Sequence, residues 1–246
     1  MEYIQRTYRN LHKQADLVHF QVSIQETDLD IGVRRDRFSP ELVSWIEVLV
    51  QEQRKYLEDY IQRDPQFKKT LKPHEMLEGA PKLAIEMAEA ARAAGVGPMA
   101  AVAGAFAQYV GKALAKRTRD VIVENGGDIF MRSTSTRKVG VFAGSSPFTN
   151  KIAVEIKSWQ TPLGICTSSG TVGHSLSLGN SDAIIILSPS TPLADAVATA
   201  AGNLVQSEED VQRAVDFAAS VTGVVGAIAI KGEKLAAWGQ IKLVPM

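Results

Sequence analysis

The spacing of apolar residues changes near Asp120, and this change constrains the fold of the 246-residue chain more than any other sequence feature. Between residues 40 and 117, apolar residues recur every three to four positions, which predicts amphipathic helices. Beyond Asp120, short apolar segments are separated by Gly, Ser or Asn, which is typical of strands. We therefore predict an α+β fold with antiparallel sheets packed against long helices.

The helical stretch contains segments with recognisable ends. Ser39 and Pro40 supply an N-cap and a first-turn proline for a long helix, which ends at Asp64 before a proline. Two alanine-rich helices follow, over 81–94 and 98–117. Because small side chains allow backbones to approach closely, we expect this pair to pack tightly against a sheet or another helix.

We predict a single domain over residues 1–246. An N-terminal hairpin and helix (1–62) precede a motif-bearing part (80–246). The polar connection between them (63–79) is predicted to be exposed. The predicted strands lie at 17–24, 29–33, 121–123, 129–131, 139–142, 152–156, 183–187, 224–230, 235–238 and 241–244. Two more helices are predicted over 192–204 and from a Ser207/Asp210 capping box to 219.

Charge and composition argue against several classes of function. Lys and Arg number 27, as do Asp and Glu, so the net charge of zero gives no strong field for nucleic acid or anionic lipid. No apolar run reaches about 18 residues and the start lacks a signal-peptide pattern, so we expect a cytoplasmic protein outside the membrane. The single cysteine, Cys166, forms no internal disulfide, which favours a reducing compartment.

The first candidate binding segment lies between two predicted strands and follows Glu124. Its paired glycines permit positive φ and let a ligand approach the bare backbone. Asn-Gly is also a common hairpin signal, so an ordinary tight turn remains an alternative. The candidate residues are Asn125, Gly126, Gly127 and Asp128.

The second segment, over 167–175, is predicted to be a loop rich in hydroxyls and glycine, whose N–H groups could surround phosphate oxygens. A solvated polar loop has the same composition. Its candidate ligand-binding residues are Thr167, Ser168, Ser169 and Gly170. His174 is the candidate acid-base group of the same loop, with a merely solvated histidine as the alternative. The neighbouring Cys166 is either a nucleophile or a buried packing residue.

The third segment is a predicted helix with Asp195 and Thr199 four residues apart. This spacing puts both side-chain oxygens on one helix face. Mg²⁺ prefers oxygen ligands, so the pair is a candidate metal site. Alternatively, Asp195 complements the helix N-terminus after Pro192 while Thr199 packs.

Together, these segments resemble the motifs of the ApbE flavin transferases in order and approximate spacing, over about residues 80–205. The matching stretches are Asn125–Asp128, Thr167–Gly170 and Ala194–Ala200. The opening, with Tyr8-Arg9 and Glu26–Leu29, resembles the uncharacterised ApbE-like family of archaea and anaerobic bacteria. That family is the best match for the whole chain.

The resemblance implies a T-fold-related architecture. In the transferases, it implies a flavin dinucleotide bound with Mg²⁺, from which FMN passes to a threonine or serine of a target protein. Asp195 and Thr199 match the side-chain metal ligands. The turn that lines the flavin cleft of the transferases is matched by Gly126, Gly127 and Asp128. The loop before their catalytic region is matched by Ser169-Gly170.

One stretch departs from the transferase pattern. The transferases' H-x-x-D-P-x-T-G sequence is reduced here to His174–Gly179, without the acid, the proline and the threonine. Our first hypothesis is a cleft that binds FAD, FMN or another nucleotide-like ligand with Mg²⁺, with FMN-transferase or pyrophosphatase chemistry. The resemblance to the uncharacterised family implies an alternative, a non-transferase accessory protein in anaerobic sulfur assimilation and homocysteine formation, which would give Cys166 a role. A third is a binding or assembly protein, with a partner or as a homo-oligomer.

Overall fold

The computed structural model describes residues 16–170 and 177–246, which form two antiparallel sheets and the helices that pack on the larger one. The helices are α1 (Pro40–Arg63), α2 (Pro65–Lys69), α3 (Lys82–Ala94), α4 (Val102–Ala115), α5 (Thr191–Asn203) and α6 (Val211–Ser220). The strands are β1 (Leu17–Ile24), β2 (Thr27–Arg34), β3 (Val121–Asn125), β4 (Asp128–Arg132), β5 (Arg137–Gly140), β6 (Ile152–Ile156), β7 (Leu163–Ser168), β8 (Ala183–Ser188), β9 (Gly226–Lys231), β10 (Lys234–Gly239) and β11 (Leu243–Pro245). The predicted α+β class is confirmed.

The larger sheet has the strand order β1-β2-β3-β4-β7-β8-β9-β10, and a three-stranded sheet has the order β11-β6-β5. Successive side chains of a strand point to opposite faces, which divides the core into two layers. Val123 and Ile186 face the helices and join a core shared with them. Ile122 and Ile185 face the other way and join a core with β5 and β6.

The helix-side core connects both halves of the chain. It contains buried residues of the β1–β2 hairpin, of α1, of the alanine-rich pair and of α5. Helix α5 packs on β7 and β8 and also against α3 and α4. Helix α4 also packs directly on β3 and β4. The alanine-rich pair therefore packs against both a helix and the sheet, as expected from its small side chains.

Several predicted helix ends are confirmed. The Ser39 hydroxyl accepts a hydrogen bond from the Leu42 N–H at 3.2 Å, and α1 starts at Pro40. Helix α3 ends at Gly95, whose φ of 74° is left-handed. The Ser207/Asp210 capping box forms before a short 3₁₀ turn that leads into α6.

Two predictions need correction. The connection over 63–79 is not simply exposed, since it contains α2, in which Phe67 is buried with its ring 5.2 Å from that of Tyr60. Thr167 and Ser168 end strand β7 and do not belong to a loop. This strand was missed because its signal is weak, with Gly and Cys between its apolar residues, whereas hydrogen bonding to β4 and β8 fixes it.

Two sequence features lie outside the described residues: His174, within 171–176, and Tyr8-Arg9, within 1–15. Over the described ranges, we find no single helix with the length and apolar character to cross a membrane. Helix α3 and the stretch Pro98–Ala115 meet those criteria only as a pair, bent by 104°.

Candidate functional site

Two polar side chains interrupt an apolar row that crosses the helix-facing side of the large sheet. Strand pairing sets Asn125 opposite Asp128, and Asp128 opposite Cys166. On either side the row continues with buried Leu29 and Ile186. Asn125 and Asp128 are themselves buried, so an amide and a carboxyl lie beneath the helices where the register would otherwise place apolar groups.

Asp195 reaches this row from α5. Its Oδ2 accepts a hydrogen bond of 2.8 Å from the Gly104 N–H, near the N-terminus of α4. The Asn125 amide donates to the carbonyl oxygen of Ala103 at 3.1 Å, and this hydrogen bond connects the N-terminus of α4 to β3. Asp195 therefore supports the N-terminus of α4, rather than that of α5 as the alternative interpretation had it.

The carboxyl group of Asp195 is in an unusual electrostatic environment. Burial, and next the negative charge of Asp128, raise its pKa well above the ordinary value, although backbone N–H groups of Gly104 and Ala103 act in the opposite direction. In a buried layer, the negative charge of one carboxyl group disfavours ionisation of the other unless a proton or a cation offsets it.

Cys166 is fully buried beside these carboxyl groups, and its thiol lies 3.4 Å from the carbonyl oxygen of Thr191. Burial, followed by the charges of Asp128 and Asp195, raises the pKa of the thiol well above its usual value. The thiol is therefore protonated at neutral pH and a poor nucleophile. The structure favours the packing interpretation of this residue.

The turn between β3 and β4 brings the first candidate segment against the second. Gly126 and Gly127 form a two-residue turn with φ of 69° and 106°, as the Asn-Gly signal predicts. The Glu124 carboxylate accepts a hydrogen bond from the Gly127 N–H at 2.8 Å. A Cβ on Gly127 would lie 3.5 Å from the carbonyl oxygen of Thr167, so the turn packs beside the end of β7.

Helix α5 runs along this end of β7. Asp195 approaches the row that contains Cys166, while a Cβ on Gly202, two turns later, would lie 3.5 Å from the hydroxyl of Ser168. Thr199 lies between Asp195 and Gly202 on the same helix face and is half-buried.

Beyond the strand end, the chain turns towards the segment that precedes β8. The Gly170 N–H donates to the carbonyl oxygen of Ser181 at 2.9 Å, and the Ser169 hydroxyl lies 3.5 Å from the same oxygen. The three predicted segments therefore meet at one end of the sheet. His174, the candidate acid-base group, lies outside the described residues.

The predicted metal pair consists of one carboxyl and one hydroxyl. Within 16–170 and 177–246, no three His, Cys, Asp or Glu side chains form a group that could hold a metal ion. A cation held by Asp195 and Thr199 would therefore take its other ligands from oxygen atoms of a bound molecule, from the backbone or from water.

Ala103 and Gly104 contribute to the site although the motifs of the sequence did not point to them. A Cβ on Gly104 would lie 2.6 Å from the carbonyl oxygen of Thr191 and 2.9 Å from the Cβ of Asp195. Only glycine lets α4 approach α5 closely enough for the Gly104 N–H to reach the carboxylate. The small side chains of the alanine-rich pair were the available signal, but they did not identify the partner.

Relatives of this chain include proteins of archaea. A "UPF0280 protein" of Methanocella arvoryzae is 43% identical over 186 residues, which are 75% of this chain and 76% of the relative. A "UPF0280 protein" of Methanopyrus kandleri is 41% identical over 218 residues and covers 86% of each chain.

Solved structures of flavin transferases share the fold. The flavin transferase ApbE of Vibrio cholerae has a TM-score of 0.56 at 13% identity, covering 92% of this chain and 97% of its own. The flavinyl transferase ApbE of Pseudomonas stutzeri has a TM-score of 0.54 at 13% identity, and the match covers 91% of this chain and 94% of the transferase. At such identities the likeness concerns the fold alone, and the relation to T-fold proteins stays a prediction.

The family model described as "AbpE bacteria" matches residues 9–230, and the similarity to the UPF0280 proteins extends over most of the chain. The chain therefore belongs to this ApbE-like family.

Proposed function

We propose that this protein binds a flavin nucleotide together with Mg²⁺ at the end of the sheet where α5 passes over β7. The observation that carries the proposal is the buried carboxyl pair of Asp128 and Asp195, which lies beside Asn125 in a layer that is apolar on either side. A divalent cation would offset the repulsion between the two groups, and carboxylate oxygens suit a hard cation. The fold shared with flavin transferases supports flavin as the nucleotide.

In this proposal the Asp195 carboxylate and the Thr199 hydroxyl hold the cation from one helix face. The Gly104 N–H donates to Oδ2 of Asp195 and the Ala103 N–H also acts on this carboxylate, so the two N–H groups would hold it in place for the cation. The bound Mg²⁺ would neutralise charge on the pyrophosphate of a dinucleotide and so favour cleavage or transfer at that bond. The remaining groups of the site would orient the ligand, with the backbone of Gly126 and Gly127 on one side and the segment Thr167–Gly170 on the other.

The accessory role in sulfur assimilation receives less support from the site. A role in sulfide handling would draw on the only thiol, and Cys166 is buried and kept protonated by its neighbours. Magnesium, flavin and nucleotide cleavage therefore remain the proposal that we would test first.

Calorimetric titration of Mg²⁺ into the full chain tests the metal site. Asp195→Asn keeps an oxygen that can accept from Gly104 but removes the charge, and we expect it to weaken Mg²⁺ binding at least tenfold. Thr199→Val should weaken binding less, and Asp216→Asn, at an exposed position of α6, serves as the control. Equal Mg²⁺ affinity in the parent and in Asp195→Asn would overturn the metal assignment.

The nucleotide is tested separately. Flavin fluorescence with FAD or FMN, in Mg²⁺ and in EDTA, should give saturable binding only when the cation is present. Chromatography of FAD incubated with the protein should then show FMN and AMP. Binding without AMP would retain the flavin site and reject pyrophosphate cleavage.

A further inference from the structure

Exposed cationic side chains are concentrated at the end of the large sheet opposite to the candidate site. Strand β3 starts at this end and finishes at Asn125, and the pairing of Val33 with Val121 brings the segments 34–42 and 114–119 together here. The two segments carry six exposed cations and two exposed acids. The cations, which we call the basic rim, are Arg34, Arg35, Arg37, Lys116, Arg117 and Arg119.

A groove of about 540 Å³ lies within the basic rim. Its lining includes the apolar side chains Leu42 and Leu114, together with Phe38, which is 39% exposed. Arg37 and Arg117 line the same groove, with Asp36 and Glu41 as its acids. The groove therefore offers an apolar surface bordered by guanidinium groups.

The charges of the basic rim are available to an outside molecule. Arg35, Lys116 and Arg119 take part in no ion pair within the described ranges. The guanidinium of Arg117 lies 4.0 Å from the centre of the Trp45 ring, which holds it in place without neutralising it. Among the described residues, carboxylate contacts of the basic rim are limited to Arg34 and Arg37 with Asp36, in exposed pairs that contribute little to stability.

We propose that the basic rim and its groove bind an acidic segment of a partner protein, with an apolar side chain of that segment beside Phe38. Charge complementarity favours an acidic occupant. The rim extends beyond the groove on both segments, which suits an extended chain better than a small molecule. The acids within the groove would repel a continuous phosphate backbone, whereas a peptide can place an apolar residue there.

The first fifteen residues of this chain do not supply such a segment, because they contain Arg6, Arg9 and Lys13 but only one acid, Glu2. An acidic stretch does occur at Glu208–Asp210, so pairing with a second copy of the chain is an outcome that the test must separate.

The test uses fluorescence anisotropy with the full chain and a fluorescein-labelled peptide of alternating Glu and Asp around a central Leu-Phe pair. We expect saturable binding that weakens as KCl is raised. Arg35→Glu/Arg119→Glu should weaken it at least tenfold, and neither side chain forms an ion pair with another described residue. Lys68→Glu/Lys69→Glu changes the net charge equally at exposed positions of α2 and should bind like the parent.

Two further variants define the mode of binding. Phe38→Ala should weaken binding severalfold for this peptide but not for one with Ala in place of Leu and Phe. Asp195→Asn should leave peptide binding unchanged, which separates this proposal from that of the flavin site. Melting temperatures of all variants verify that they are folded.

Four results would overturn the proposal: no saturable binding of the peptide, equal weakening by both charge-reversal pairs, tighter binding of poly(U) RNA than of the peptide, or a dimer in sedimentation that Arg35→Glu/Arg119→Glu dissociates. The last two would reassign the surface to nucleic acid or to self-association.

Discussion

At the scale of single residues, two glycines decide the geometry of the β3–β4 turn. Both have positive φ, where a Cβ is strained. The space around Gly127 is sufficient for a methyl group, since the nearest atom, the Thr167 carbonyl oxygen, would be at 3.5 Å. A substitution would therefore lower the stability of the protein through backbone strain. Any effect on ligand affinity would arise on the side of the turn that faces β7.

We predict that Gly126→Ala and Gly127→Ala each lower the free energy of unfolding by about 1–3 kcal/mol, because a side chain strains a positive φ. Both should also weaken FAD binding in Mg²⁺, since their Cβ atoms occupy space at the proposed cleft. Urea unfolding and flavin fluorescence measure the two effects independently.

Gly95→Ala is the matched control for this prediction. Its φ of 74° imposes the same kind of strain, yet a Cβ there would meet no atom within 4 Å. It should lose stability and bind FAD like the parent. If the turn variants behave in the same way, the two glycines form a turn only, and the cleft assignment is wrong.

At the scale of elements, one buried carboxylate connects the start of β3 to β5. Asp120 accepts hydrogen bonds from the Thr134 N–H at 2.7 Å and from the Ser133 hydroxyl at 3.1 Å. Arg137 of β5 lies 3.6 Å from it and forms two 2.7 Å hydrogen bonds with Asp16. These contacts hold the segment between β4 and β5 against the large sheet.

The pKa of Asp120 is lower than its ordinary value in the folded protein. Burial alone would raise this pKa, but the Thr134 and Ser133 hydrogen bonds and the Arg137 charge outweigh the effect. Because the folded pKa is depressed, the stabilisation is complete above the unfolded value of 3.8 and is lost as the pH falls through the folded pKa.

We therefore predict that Asp120→Asn lowers the free energy of unfolding by about 1–3 kcal/mol at pH 7. The difference from the parent should shrink as the pH falls below 3.8, since protonation removes the same charge from the parent. Urea unfolding at several pH values measures this difference in the free energy of unfolding. Asp59→Asn, at an exposed position of α1, should have little effect, and a pH-independent loss in Asp120→Asn would contradict the assigned cause.

At the scale of the whole molecule, α5 joins the parts of the fold that the site depends on. The helix packs on β7 and β8 and contacts both alanine-rich helices, and it carries Asp195 and Thr199. A ligand bound along it would contact the sheet, the β3–β4 turn and the helices together, so binding should stabilise the fold as a unit.

We predict that FAD with Mg²⁺ raises the melting temperature of the protein. A ligand at a hundredfold excess over its Kd adds about 2.7 kcal/mol to the free energy of unfolding. For a chain of this size, this corresponds to an increase of roughly 5–10 °C. EDTA, or Asp195→Asn, should remove most of the shift in a thermal-shift assay. No shift with FAD, FMN, ADP or ATP in Mg²⁺ would favour the accessory role.

The sequence by itself determined those features whose partners lie nearby in the chain. The Ser39 cap, the Gly95 helix end and the two-residue turn at Gly126 each depend on a few consecutive residues, so local sequence signals predicted them. The Asp195/Thr199 spacing likewise follows from helix geometry, although its role in metal binding stays a prediction.

Tertiary structure decided the features that depend on distant partners. Strand β7 forms because β4 and β8 pair with it on both sides, although Gly164 and Cys166 interrupt its apolar pattern. Phe67 is buried because the polar connection folds back onto α1. The carboxyl of Asp195 meets Gly104 and Asp128, which are 91 and 67 residues away in the chain. Such proximity depends on the packing of whole elements, which the spacing of residues within one segment does not encode.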